Sequence, residues 1–382
     1  MGTKQFDNYA DLITFTRASG ATLLDSDGVL KTASTNIPRI EYDADGNRLG
    51  LLVEEQRTNL VSYSEQFDNA YWSTSGSFTS TEVANAAIAP DNTLTAEEYT
   101  NLATGTNNLQ VNLAVSATDY TFSVWLKAKS AGDVGKYVTV GGHISGATHN
   151  RVLAQLTADW TKFSVSGTTT AASWFWGVDG RTDGVFTGLN QTQEEASFYA
   201  WGAQLEEGAF PTSYIPTTSS TVTRAADVAS ITGSNFSSWY RQDEGTVFSN
   251  CKQAQVNTVA GATHYQFSDG TTGERFDVFG RANGGTGVKV FDGGTEVTDL
   301  FPTFTGIAAN TAIKIALALK ENDLAAKGFD DRSVQTDNSV TLPTVDRLTI
   351  GSGFSRSING TISRLTYYPY RLTDTTLQEI TS

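Results

Sequence analysis

Residues 201–227 read WGAQLEEGAFPTSYIPTTSSTVTRAAD. The stretch opens with alternating apolar residues, passes Glu206-Glu207-Gly208, continues through Pro, Thr, Ser and Tyr, and turns basic at Arg224. Side chains of a strand alternate between two faces, which predicts Tyr199, Trp201, Ala203 and Leu205 on one face and Gln204 and Glu206 on the other. The stretch therefore reads as the last strand of one sandwich, followed by an extended connector, pinned by Pro211 and Pro216, into a second. Glu206 and Glu207 are adjacent and point to opposite faces, so they read as edge and turn residues and not as an acid and base pair.

The flanking sequence repeats the pattern. YTFSVWLKAKS (120–130), KYVTVGG (136–142), RVLAQLTADWTKFSVSG (151–167) and ASFYAWGAQLE (196–206) all alternate, and a second series after residue 225 includes GTVFSNCKQAQV, THYQFSDG, ERFDVFGRA and TAIKIALALKEN. Turn pairs such as Asp269-Gly270 and Gly293-Gly294 punctuate them as hairpin loops do. Helical periodicity is confined to TLTAEEYTNLA near residue 95 and to the terminal LTDTTLQEI, where Thr373 and Asp374 can cap a short last helix. The fold class expected is all-β: two tandem antiparallel β-sandwich (jelly-roll) domains, 60–223 and 224–382, after a short β-rich N-terminal segment, 1–59, suited to attachment. FTRAS at Phe15 and VTRAA at Val222 form a weak internal echo that supports the cut near residue 224.

Bulk properties agree with two domains and exclude several partners. The chain has 382 residues, and a single core rarely grows past about 250–300. Its 20 Phe, 14 Tyr and 7 Trp are too many for a disordered chain. A formal net charge of −15 repels phosphate backbones, and without a Lys/Arg cluster nucleic acid is not an expected partner. No run of about 18 apolar residues exists to insert into a membrane, and the opening MGTKQFDNYADLITF carries acids where a secretory signal has an apolar segment. Cys251 is the only cysteine, which rules out an intrachain disulfide and a cysteine-based zinc site; its alternating setting reads as an inert buried thiol.

Candidate chemistry is sparse. His143 and His149 lie in GGHISGATHN, expected to be an exposed loop, and His264 starts the strand THYQF. Asp43, Asp45, Asn47 and Glu54 match four positions of a calcium loop, yet Arg48 stands where the sharp turn needs Gly, so a hairpin turn accounts for them and neither a metal nor another cofactor is expected. Whether calcium binds the second sandwich stays open at this stage. No string places two carboxylates on one strand face at glycosidase spacing, and neither a nucleophile elbow nor a phosphate-binding loop occurs. The aromatic residues say more. In SWFWGVDGRTDG, Trp174 and Trp176 are two apart on a strand and Asp179 and Arg181 follow; an aromatic face beside a carboxylate and a guanidinium suits a sugar, whose ring offers C–H groups to the one and hydroxyls to the others. The competing reading is that the two Trp fill the sandwich core. The expected carbohydrate-binding residues are Trp174, Trp176, Asp179 and Arg181, with no catalytic residue.

GLLVEEQRTNLVSYSEQFDNAYW (50–72), YTFSVWLKAKSAG (120–132) and the opening 201–227 stretch resemble segments of bacteriophage virion proteins of tail-fibre or receptor-binding type, where they belong to a carbohydrate-binding-module-like jelly roll. RLTIGSGFSRSINGTISRLTYYPYRLTDTTLQEIT (347–381) is similar to the end of a laminin-G or concanavalin-A-like sandwich, with Asn359-Gly360 turning into the last long strand. The resemblance implies a structural virion protein, expected as a homotrimeric tail-fibre or baseplate receptor-binding subunit that contacts bacterial surface polysaccharide or lipopolysaccharide and other virion proteins. It also implies synthesis in the host cytoplasm with release by lysis. A head-decoration or head-fibre protein of the capsid and a glycan depolymerase are the alternatives. The motifs sit on core strands and turns, so they imply fold more than ligand.

Overall fold

The computed structural model describes residues 12–75, 80–102, 108–143, 149–179, 195–254, 261–282, 284–303, 306–330, 332–354 and 356–382. The chain folds into two compact units: residues 1–27, 33–56 and 225–382 make one, and residues 28–32 and 57–224 make the other. Both are built from antiparallel sheets stacked as sandwiches, which is the expected all-β class.

The unit that carries residues 57–224 has two five-stranded sheets. One runs His149–Gln155, Tyr137–His143, Ala172–Asp179, Asn108–Val115, Ser73–Ser75; the other runs Thr161–Thr168, Asp119–Ala128, Ala196–Glu207, Ala96–Leu102, Thr81–Ala87. Between them lies a core containing Trp174, Trp176, Phe122, Phe198, Tyr99 and Leu205. Each large side chain buried there contributes roughly 1.5–3 kcal/mol from water exclusion alone, which is why the aromatic-rich strands face inward. The segment TLTAEEYTNLA, expected to be helical, supplies the strand Ala96–Leu102 instead. Tyr99 and Leu102 are held in the sandwich core, and pairing on both flanks, with Ala196–Glu207 and Thr81–Ala87, outweighs local helix propensity.

The 201–227 stretch departs from simple alternation at one residue. Ser123 pairs with Gln204 while Trp125 pairs with Trp201, so Gly202 and Ala203 together stand opposite Val124. This is a β-bulge, and Gly202 takes it with φ of 67°. The bulge reverses the faces: Phe198, Ala200, Ala203 and Leu205 join the sandwich core, whereas Trp201 turns to the opposite face. There Trp201 packs against Tyr214 at 4.8 Å and Trp125 at 5.7 Å between ring centroids. The connector is thus more than a spacer, since Phe210, Tyr214 and Ile215 are buried. Glu206 is fully buried too and accepts hydrogen bonds from the Thr212 amide (2.8 Å), the Thr212 hydroxyl (2.7 Å) and the Gln204 amide (2.9 Å). An edge residue in the sequence reading, it is the anchor of the connector.

The other unit stacks an eight-stranded sheet, ordered from Thr14–Thr16 through Val228–Thr232, Arg347–Ile350 and Ala262–Ser268 to Thr295–Leu300, on a seven-stranded one centred on Ala312–Lys320, Glu244–Gln253 and Gly360–Tyr368. The segment 1–59 was read as separate, yet two strands of its described part belong to this unit's sheets. Thr14–Thr16 pairs with Val228–Thr232, and Arg48–Val53 pairs with Gly360–Tyr368, so these strands complete the sheets of the C-terminal sandwich. A buried ion network fastens the arrangement. Arg17 reaches Asp227 at 3.0 Å, and Arg39 reaches Asp227 at 2.5 Å and Glu54 at 2.8 Å, with all four side chains nearly or wholly closed to solvent. The helix Asp374–Thr381 forms as expected, capped by the Thr373 hydroxyl, which accepts from the Thr376 amide, and lays Leu377 against Phe248 and Ala316.

Candidate functional site

Within the unit of residues 57–224, the strand Ala172–Asp179 carries three of the four expected binding residues, and its alternation divides them. Trp174 and Trp176 point inward and are 0% exposed. They stack on each other at 5.5 Å, and Trp176 stacks on Phe122 at 6.1 Å. Gly142 is glycine for this reason: a Cβ there would lie 2.4 Å from the Trp176 ring. Neither indole can offer its face to a sugar, so both are core residues and the binding assignment is corrected for them. Arg181 lies outside the described residues. Asp179, on the alternate face, is the one member that reaches a polar site.

That site is a shallow recess of about 180 Å³, counting the open space above it. Cross-strand register builds it. Arg151, Gly141, Gly177 and Gln110 stand in one row across four neighbouring strands, and Asp179 and Thr139 stand in the next row but one-sided to it, with Phe175 and His143 flanking on the other side. Gly141 and Gly177 form a bare floor. A Cβ on Gly141 would come within 2.2 Å of the Asn150 carbonyl oxygen and one on Gly177 within 2.0 Å of the Leu109 carbonyl oxygen, so only glycine permits strands to approach so closely here. One end of the floor is charged: Arg151 Nη1 lies 2.9 Å from Asp179 Oδ2, with side-chain exposures of only 2% and 6%. The other end is aromatic, the half-buried His143 and Phe175 rings stacking at 5.3 Å and 29°. Gln110, 7% exposed, adds an amide with both donor and acceptor atoms.

The recess is lined by an ion pair, an amide and an aromatic surface. Among the described residues lining it Asp179 is the single carboxylate, whereas glycoside hydrolysis needs two about 5–10 Å apart. Among the described residues no group of three or more His, Cys, Asp or Glu is arranged to hold a metal ion. Asp43, the first residue of the calcium-like spacing, has its oxygens engaged by the Asp45 and Asn47 amides and the Asn47 side chain, the geometry of a tight turn.

The histidines fall differently from expectation. His143 and His149 are the facing pair that ends two adjacent strands. His264, in the other unit, is 1% exposed inside Ala262–Ser268. Sequence reasoning missed Arg151, Gln110 and the His143–Phe175 wall. One signal pointed there: the Gly141-Gly142 pair inside an alternating strand, which marks a close approach of backbone.

No protein-family model matches the chain, and no curated protein matches it. Solved structures give partial likenesses. The CBM40 of the Ruminococcus gnavus IT-sialidase is 16% identical, with 39% of this chain and 88% of that one covered at a TM-score of 0.32. Domain 4 of AbnA, a GH43 extracellular arabinanase from Geobacillus stearothermophilus, is 11% identical over 46% of this chain and 83% of its own, at a TM-score of 0.32. The Trypanosoma rangeli sialidase is 9% identical over 40% of this chain and 25% of its own, at 0.31. At these scores and identities the likenesses place no ligand on this chain.

Proposed function

We propose that this chain is a structural virion protein of a bacteriophage, a tail-fibre or baseplate receptor-binding subunit that adheres to bacterial surface glycan. The observation that carries the glycan reading is the recess: a buried Arg151–Asp179 pair and the Gln110 amide beside the stacked His143 and Phe175 rings, over a floor of two glycines. Such a surface presents paired donors and acceptors to vicinal hydroxyls and an aromatic edge to a ring's C–H groups. The virion reading is supported by the phage-like segments 50–72, 120–132 and 201–227. A non-enzymatic role fits a lining with one carboxylate, and assembly as a homotrimer on the particle is part of the same reading.

Two measurements test it together. Purified chain is applied to host bacteria and to mutants lacking surface polysaccharide, and an antibody against the chain is used to label intact particles in the electron microscope. Adhesion that disappears with the polysaccharide, and label on the tail, are expected. Equal adhesion to both strains overturns the glycan reading, label on the capsid overturns the tail location in favour of a head-decoration protein, and release of reducing sugar from the polysaccharide overturns the non-enzymatic role.

A further inference from the structure

In the unit that holds the C-terminal half, the outer face of the seven-stranded sheet carries positive charge. Its strands Ala312–Lys320, Glu244–Gln253 and Gly360–Tyr368 lie side by side, and their register sets Lys314, Asn250 and Arg364 in one row. The alternate positions Ile313, Ile315 and Cys251 belong to the core, so the row faces away from it. Lys252 follows two residues after Asn250 on the same face, about 7 Å along the strand. The helix Asp374–Thr381 covers the next row, where Leu377 packs on Phe248 and Ala316. Arg364 is exposed, and Asn250 and Lys252 are half-buried. The chain has 41 Asp and Glu against 26 Lys and Arg, yet residues 250–252, 312–316 and 361–366 include no acid. Elsewhere in this unit cations meet carboxylates, as Arg275 does Asp277 at 2.8 Å and Arg371 does Asp323 at 2.9 Å. Among the described residues, neither Arg364 nor Lys252 has a carboxylate within ion-pair distance. Asp43 feels the field of Lys252, but its oxygens are taken by the Asp45 and Asn47 amides and the Asn47 side chain.

We infer that this sheet face binds a carboxylate-bearing polysaccharide of low charge density: Arg364 grips a carboxylate, Asn250 a neighbouring hydroxyl, and Lys252 adds a second positive charge. The glycan as carrier rests on the function proposed above; the preference for an anion rests on the sheet face alone. The Arg364 guanidinium is oriented beforehand. Its Cζ lies 5.1 Å from the Phe248 ring centroid, and its Nε donates to Thr366 Oγ1 at 3.0 Å. Its Nη groups and the Asn250 side-chain amide find no acceptor among the described residues. A planar fork so held loses little freedom when it takes a carboxylate through two parallel hydrogen bonds. Lys314 is engaged already, donating to the Ser382 main-chain oxygen. Charge complementarity also limits the ligand. A net −15 repels every polyanion at long range, and two cations offset that only for a chain bringing few charges at a time. A phosphate at every step, as in nucleic acid, adds repulsion faster than contacts.

Biolayer interferometry on the full chain tests this with four immobilised polymers: partly methyl-esterified polygalacturonate, dextran, polyglutamate and polyphosphate. Saturable binding to polygalacturonate that weakens as salt is raised is expected. Arg364→Gln is expected to weaken it about ten-fold, the loss of a charge-assisted pair of hydrogen bonds, and Lys252→Gln about three-fold, the loss of an exposed charge. Both residues lie at the surface, and unchanged melting temperatures confirm folding. Arg356→Gln, which removes an exposed charge from the eight-stranded sheet, is expected to leave binding unchanged. Polygalacturonate binding indifferent to Arg364→Gln overturns the site. Dextran bound as tightly as polygalacturonate overturns the acidic class, and polyphosphate bound more tightly overturns the low charge density. Polyglutamate bound in place of polygalacturonate, and lost in Arg364→Gln, overturns the glycan carrier in favour of an acidic protein. Absence of binding to all four overturns the whole inference, while the glycan reading itself stands or falls on adhesion to bacteria lacking surface polysaccharide.

Discussion

Trp176 shows how one residue can change the reading of a site. Two Trp spaced by two on a strand must share a face, and sequence alone leaves open which face that is. The answer comes from Gly142, whose missing side chain makes room for the Trp176 ring, and from Phe122 across the sandwich. Trp176→Ala is expected to lower the stability of its unit by about 3–5 kcal/mol, the usual cost of deleting a buried large aromatic, as read by urea denaturation followed by circular dichroism. Two buried titratable residues carry pH sensitivity of opposite sign. Glu97, 2% exposed, is pushed up to about 9 by burial, by its hydrogen bond to Glu82 and by the nearby Asp68, while Tyr99 donates to Glu82 at 2.5 Å. The folded chain thus holds a proton that the unfolded chain releases near 4.5, so stability is fully present below pH 4.5 and declines as pH rises towards 9. His264 does the reverse: burial alone lowers it from 6.5 to about 4, and among the described residues neither ring nitrogen finds a hydrogen-bond partner, so stability declines as pH falls from 6.5 to 4. Thermal melts across pH 4–9 are expected to show Glu97→Gln flattening the alkaline decline and His264→Gln the acidic one. Unchanged profiles would remove these residues as the cause.

Among the elements, the strand Ala196–Glu207 was legible in type and misleading in detail. Its alternation is plain in ASFYAWGAQLE, but a period of two holds only until a bulge, and Gly202 gives no warning of which conformation it takes. The reversal puts Trp201 outside the sandwich core and recruits the connector to cover it. Gly202→Ala is expected to cost about 1–2 kcal/mol for forcing a Cβ into the left-handed region, with that Cβ also only 3.3 Å from the Trp125 ring. An equal or higher melting temperature would contradict the bulge. The hairpin turns and the capped terminal helix were readable because their signals are local: Gly293-Gly294 takes φ of 58° and 80°, and Thr373 precedes its own helix. Arg151 was not readable, because what makes it part of the recess is a partner 28 positions away across two strands.

The two units differ in how much of them a linear reading could recover. Residues 57–224 form one almost continuous stretch, so local patterns predicted most of that sandwich. The other unit draws its strands from both ends of the chain, and the pairing of Thr14–Thr16 with Val228–Thr232 spans more than 200 residues. Arg17 of FTRAS meets Asp227 of VTRAAD in the buried network, a contact that the repeated Thr-Arg-Ala does not encode, since Asp227 lies outside it. Asp227→Ala is expected to cost about 3–5 kcal/mol by removing the buried carboxylate that Arg17 and Arg39 share, measured by urea denaturation; a loss under about 1 kcal/mol, the range of an exposed pair, would contradict the network's role. The central claim is that this fold presents a glycan-binding recess on one sheet. Isothermal titration of the purified chain with host surface polysaccharide tests it most directly: saturable binding with one recess occupied per chain, weakened at least ten-fold by Phe175→Ala at unchanged melting temperature, is the predicted result, and absence of binding, or binding indifferent to that substitution, would contradict it.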